Sequence, residues 1–112
     1  NGLSLILSSP EQAFLECLHL VPDHYNYMDL YYIMEQLTSL DPDKVQTALE
    51  NTSSQRVKRM FLYMAEKAGH YWFDMLDMDK FGLTTSKLQL VDNGVYISKY
   101  RITVPKELNV YE

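Results

Sequence analysis

The sequence predicts an α+β fold, with a helical body of four to five helices followed by a small antiparallel sheet. Three observations carry that prediction. From Pro10 to Ala68 apolar residues recur at the three-to-four spacing of a helix face, broken by capping residues and prolines. After Asp79 the apolar spacing changes to alternation around an Asn-Gly turn signal. The chain has 112 residues, 46% hydrophobic and 22% charged, which suits one folded domain with a core of its own.

Each element has its own signal. Leu3-Ser-Leu-Ile-Leu7 is short, partly alternating and without a basic leader, so it is expected to be a strand that joins the sheet, not a signal peptide. Ser9 is placed to cap a helix whose first residue is Pro10, with Ala13, Phe14, Cys17, Leu20 and Val21 inward and Pro22 as the stop. Asn26, three residues before Asp29, opens a second helix with Leu30, Ile33, Met34 and Leu37 as its buried stripe. Asp41-Pro42 opens a third, which buries Val45, Ala48 and Leu49 and ends near Asn51. The fourth has Val57, Met60, Phe61, Met64, Ala65 and Ala68 on one side and Gly69 at its C-terminal stop. A short turn from Tyr71 to Leu76 follows. Lys87–Val91, Asn93-Gly94 and Val95–Ile97 then predict a β-hairpin, and Arg101–Val104 a further strand ending at Pro105.

The chain begins with Asn, and its first methionine, Met28, falls inside a helical pattern, so residues 1–112 are expected to be a single domain cut from a longer protein. The lone Cys17 builds no disulfide framework, which is consistent with a reducing cytoplasm, and no apolar run is long enough to span a bilayer. The net charge of −5 argues at first sight against a nucleic-acid partner. That charge is unevenly spread. Residues 1–53 hold eight acids and one base, whereas residues 54–112 hold seven acids and nine bases, so an anionic partner would meet the second half.

Most chemical motifs fail their own requirements. Asp77-Met-Asp79-Lys-Phe-Gly82 begins like a calcium loop, but Phe81 and Leu88 stand where oxygen ligands are needed. His19, Asp23 and His24 are interrupted by Pro22 and lack any zinc-site pattern. Cys17 falls on an apolar stripe, with no nearby cation to lower its pKa, and reads as core. An acid–base or metal enzyme around His70, Asp74, Asp77 and Asp79 would need a convergent ligand set that the spacing does not supply. No catalytic residue, metal or cofactor is therefore expected.

The fourth helix carries the positive signal. With Val57 at 0° and about 100° per residue, Glu66, Arg59, Tyr63, Arg56 and Lys67 fall at roughly 180° to 280°, opposite the apolar stripe, with Lys58 at its border. Arg56, Arg59 and Lys67 are thus expected to point outward together and to suit phosphates, with Tyr63 adding stacking or a hydrogen bond. The plainer alternative is an ordinary solvated helix face. Separately, Tyr25-Asn-Tyr-Met-Asp-Leu-Tyr-Tyr32 holds four of the nine tyrosines. Such a segment suits either packing under a loop or docking of a partner or second copy through residues 25–34, with Tyr31 and Tyr32 as its test positions.

Taken in order, Ser8-Ser-Pro-Glu-Gln-Ala-Phe-Leu-Glu16, Val57-Lys-Arg-Met-Phe-Leu-Tyr-Met-Ala-Glu66 with Gly69-His70 and Trp72, and Lys99-Tyr-Arg-Ile-Thr-Val-Pro105 resemble the AbiEi-type antitoxins of bacterial type IV toxin–antitoxin and abortive-infection systems. The resemblance spans roughly Ser8 to Leu108 and is to the C-terminal domain of such proteins. It implies a cytoplasmic, non-enzymatic transcriptional regulator whose N-terminal winged helix-turn-helix binds operator DNA. It also implies a C-terminal domain that counters a nucleotidyltransferase-like toxin without a stable complex and helps hold the DNA through a basic surface. The matching positions are Lys58, Arg59, Lys99 and Arg101. Where the family has a Leu-Gly-Ser-Gly-Lys-Arg type segment this chain has Leu83-Thr-Thr-Ser-Lys-Leu88, which keeps Lys87 and loses the glycines.

Overall fold

The computed structural model describes residues 9–21 and 23–110, so the strand expected at Leu3–Leu7 lies outside the described residues. Helices α1 (Pro10–His19), α2 (Tyr27–Gln36), α3 (Pro42–Glu50) and α4 (Gln55–Ala68) form the body. Two 3₁₀ turns follow, Tyr71–Met75 and Met78–Lys80, and then strands β1 (Leu88–Gln89), β2 (Val95–Ile97) and β3 (Ile102–Val104) and a short helix, α5 (Lys106–Val110). The α+β class is as expected; α5 was not foreseen.

The helix starts follow from their caps. Ser9 Oγ accepts from Gln12 N (3.2 Å), Asn26 Oδ1 from Asp29 N (2.8 Å), Asp41 Oδ1 from Asp43 N (2.9 Å) and Ser54 Oγ from Val57 N (3.3 Å). Helix α4 ends at Gly69, whose φ of +75° is the left-handed conformation in which glycine carries no Cβ penalty.

Three buried faces differ from the expectation. On α1 the stripe is Glu11, Phe14, Leu15 and Leu18, turned by one position, which leaves Leu20 43% exposed and Cys17 half-buried against the core. On α2 it is Tyr27, Leu30, Tyr31 and Met34, and Ile33 is 45% exposed. The third difference matters most. Every residue of α4 from Val57 to Ala65 is buried, Lys58, Arg59 and Tyr63 included. Helix α4 is the central element: α1, α2 and the first 3₁₀ turn, which inserts fully buried Trp72, all pack on it. Phe61 meets Phe14 edge-on at 5.7 Å and Trp72 at 6.0 Å, which ties three elements through one ring.

The sheet is mixed, not antiparallel, with strand order β1-β3-β2. Strand β3 pairs with β1 in parallel (Leu88↔Ile102) and with β2 antiparallel (Val95↔Val104, Ile97↔Ile102). The expected hairpin between residues 87 and 97 therefore does not form. The reason is burial: Ile102 and Val104 are both fully buried, so β3 takes the centre, where both edges are bonded, and the half-buried strands flank it. Asn93-Gly94 is a turn, with Asn93 at φ +57°, but it carries the chain past the end of β3 and not back onto β1. The actual hairpin is β2–β3, closed by Ser98–Arg101, with Arg101 at φ +57°.

Candidate anion-binding surface

Burial of the α4 cations requires acceptors, and the structure supplies backbone oxygens. One turn of α4 holds the segment 81–86 with three side chains at the i, i+3, i+4 spacing that places them side by side. Gln55 Nε2 donates to Gly82 O (3.0 Å) while its Oε1 accepts from Thr84 N (3.0 Å) and Arg59 Nε (3.2 Å). Lys58 Nζ donates to Phe81 O (2.6 Å). Arg59 donates Nη1 to Ser86 O (2.5 Å) and Nη2 to Thr84 O (2.8 Å) and to the Thr84 hydroxyl. Arg59 is 1% exposed. Burial, and then the neighbouring Arg101 charge, lower the pKa of its guanidinium from the ordinary arginine value.

The other two cations of that helix go elsewhere. Lys67 Nζ donates to Asn109 O (3.1 Å) and sits 6.0 Å from the centre of the buried Tyr31 ring, and Tyr63, whose phenol burial pushes up, lies 3.5 Å from Asn109 Oδ1. Both therefore fasten α5. Arg56 donates to Leu18 O (3.1 Å), His19 O (3.3 Å) and the Tyr27 hydroxyl (3.3 Å), where it neutralises the C-terminal end of α1. The expected outward face of Arg56, Arg59 and Lys67 is thus absent: the three are dispersed, and one is buried. Among the described residues, none of the hydrogen bonds made by Arg56, Lys58, Arg59 and Lys67 ends on a carboxylate.

What reaches solvent lies at one end of the sheet. Leu88 N donates to Arg101 O (2.9 Å), so Lys87 and Arg101 flank the first rung of the β1–β3 ladder. Both side chains are exposed; Lys87 Nζ lies 5.5 Å from the centre of the Tyr96 ring, and the Arg101 guanidinium makes no hydrogen bond to a described residue. Buried Arg59 holds Ser86 O, the residue before Lys87, and feels the charge of Arg101. Lys99, also exposed, is drawn aside by Glu66 (2.6 Å), which accepts from Tyr100 as well (2.6 Å). Burial alone would raise the Glu66 carboxyl, but those two hydrogen bonds and the Lys99 charge outweigh it and hold it below the usual carboxylate range. The structure brings Arg59, Lys87 and Arg101 together and leaves Arg56, Tyr63 and Lys67 apart. Gln55, Thr84, Ser86 and Tyr96 also belong to this surface, and the i, i+4 pair Gln55–Arg59 is the one local signal that the sequence carries for them.

The remaining motifs have structural employment. His70 Nε2 is 2.6 Å from Met34 O and its ring stacks on Trp72 at 5.2 Å, while Asp77 Oδ1 accepts from Asp79 N (3.2 Å). Among the described residues no group of three or more His, Cys, Asp or Glu could hold a metal ion. In the tyrosine segment Tyr27 and Tyr31 are core, whereas Tyr25 and Tyr32 are exposed.

A family model described as AbiEi antitoxin, transcriptional regulator of type IV toxin–antitoxin systems, matches residues 1–105. No curated protein and no solved structure gives a significant match.

Proposed function

The chain belongs to the AbiEi antitoxin family of type IV toxin–antitoxin systems, and from that membership we propose that it is the C-terminal domain of a cytoplasmic bacterial antitoxin. In this reading an N-terminal winged helix-turn-helix binds the operator. The present domain has no catalysis of its own, counters a nucleotidyltransferase-like toxin without a stable complex, and assists DNA binding. The match over residues 1–105 carries the reading.

The geometry supports a location for the assistance to DNA. Arg59 is buried against carbonyls and hydroxyls and not against an acid, so its charge adds to that of exposed Lys87 and Arg101 at the sheet end. Tyr96, under Lys87, offers an aromatic face beside them. No helix among the described residues is long and apolar enough to cross a membrane.

Two experiments test the proposal. Co-expression of the full-length protein with the toxin encoded beside it is expected to restore growth; failure to rescue overturns the antitoxin reading. Arg101→Gly removes a charge at a position whose φ of +57° favours glycine, so the variant keeps its fold. With Lys87→Ser it is expected to weaken operator binding by the full-length protein and to lower the salt slope by about one for each phosphate that is no longer neutralised. Unchanged affinity and slope would remove this surface from the proposal.

A further inference from the structure

A cleft of about 500 Å³ lies between the α1–α2 junction, the first turn of α4 and the β3–α5 corner. That volume is in the range of small-molecule sites, roughly 300–1,000 Å³. Its walls are largely apolar, with Val21, Met28, Leu90 and Val91 among them, and one side chain with a positive charge, Arg56, is set into the lining. Nη1 of Arg56 is used twice, by Leu18 O and the Tyr27 hydroxyl, and Nη2 once, by His19 O. Nε–H and one Nη2–H have no partner among the described residues, so the guanidinium keeps two N–H donors that a carboxylate can take. Glu107 also lines the cleft, and its negative charge disfavours ligands with several charges, phosphates above all.

We propose that this cleft binds a small monocarboxylate with an apolar body, its carboxylate on Arg56 and its hydrocarbon portion among Val21, Met28, Leu90 and Val91. The site is separate from the sheet-end surface, so its fate does not depend on the antitoxin reading. It has a structural consequence of its own. Arg56 is on the same turn of α4 as Gln55, Lys58 and Arg59, which hold the segment 81–86, so an occupied cleft would stiffen the base of that clamp.

Octanoate, 1-octanol and inorganic phosphate serve as probes, with amide chemical-shift mapping and titration calorimetry on the chain. Octanoate is expected to shift the amides of Val21, Met28, Leu90 and Val91 and to bind at least about tenfold more tightly than octanol, as a charge-assisted contact to Arg56 requires. Arg56→Gln should remove that preference, and Glu107→Gln should leave octanoate binding intact or tighten it. Should Arg56→Gln fail to fold, Val91→Trp fills the cleft with Arg56 in place and should abolish binding. Equal affinity for octanol, tighter binding of phosphate, shifts confined to the sheet end, or Val91→Trp without effect would each overturn the proposal.

Discussion

Arg59 turns its guanidinium inward, onto the carbonyls of Thr84 and Ser86, although its position on α4 lies opposite the apolar stripe. Its charge and helix were legible, because Val57 to Ala68 is the most regular stretch of the chain. Its angle of roughly 200° from Val57 was legible too, yet that angle describes an isolated helix and assigns everything off the apolar stripe to water. Segment 81–86 covers that side of α4, and nothing in Leu83-Thr-Thr-Ser86 announces that its carbonyls will face inward. A planar fork satisfies them; an ammonium cannot reach the same set. Arg59→Lys keeps the charge and is therefore expected to destabilise the chain by about 1.5–3 kcal/mol, the range for hydrogen bonds to a charged group. Urea unfolding at neutral pH measures this, and a variant as stable as the parent would show that the fork contributes nothing. Lys58→Met offers a contrast. Lys58 bonds the single carbonyl of Phe81 from a site 6% exposed, so Lys58→Met leaves one buried acceptor without its donor, at a cost of about 1–3 kcal/mol that the added apolar burial offsets in part.

Helix starts could be read from the chain and strand order could not, because caps are local whereas strand partners are chosen by burial. Ser9, Asn26 and Asp41 each bond a backbone N–H two or three residues ahead, so their signal lies within four letters of sequence. The sheet has strands of only two or three residues, too short for alternation to specify a partner. What decides the order is that Ile102 and Val104 are both fully buried, each contributing about 1.5–3 kcal/mol. Gly94 is the hinge of this arrangement. A Cβ there would collide with Val104 O and press on the Val91 and Thr103 side chains, so the glycine allows the chain to cross the end of β3. Gly94→Ala must displace backbone, and overpacking of that kind costs about 1–3 kcal/mol. Thermal unfolding should register the loss, and amide exchange should place it in β2 and β3 and not in α1–α3. A substitution without effect would mean that the crossing has room for a methyl group after all.

At the scale of the whole molecule, the net charge of −5 conceals where the charges act. The division into an acidic front and a slightly basic rear was visible in the sequence, but not that most of the rear's helix cations would be spent inside, bonded to backbone oxygens of the loop 81–86, of α1 and of α5. Contacts between residues more than 20 positions apart are not encoded in any window of sequence. One ion pair couples body to sheet. Glu66 on α4 accepts from Lys99 and Tyr100 in the β2–β3 turn, and this contact sets a pH dependence with two flanks. The Glu66 carboxyl is held below its ordinary value of 4.5, so the folded state binds its proton less readily than the unfolded one. The stability it adds is present above that value and is lost as pH falls through the folded pKa. Glu66 is 39% exposed in its side chain, so solvent screens the contact and the loss should stay below about 1 kcal/mol. Tyr100 behaves in the opposite sense. Burial, then the Glu66 hydrogen bond and charge, push its phenol well above the ordinary 10.0, so stability is present below that pH and is lost as pH rises past it. Glu66→Gln is therefore expected to flatten the fall in unfolding free energy below about pH 4.5 and to reduce the alkaline fall as well, because it withdraws the carboxylate acceptor and its charge while leaving burial of Tyr100 in place. Tyr100→Phe should reduce the alkaline fall further, with a residue left from buried Tyr63. Urea titrations from pH 3 to pH 11 compare the three proteins, and identical profiles for Glu66→Gln and the parent would show that α4 and the β2–β3 turn are joined by packing alone.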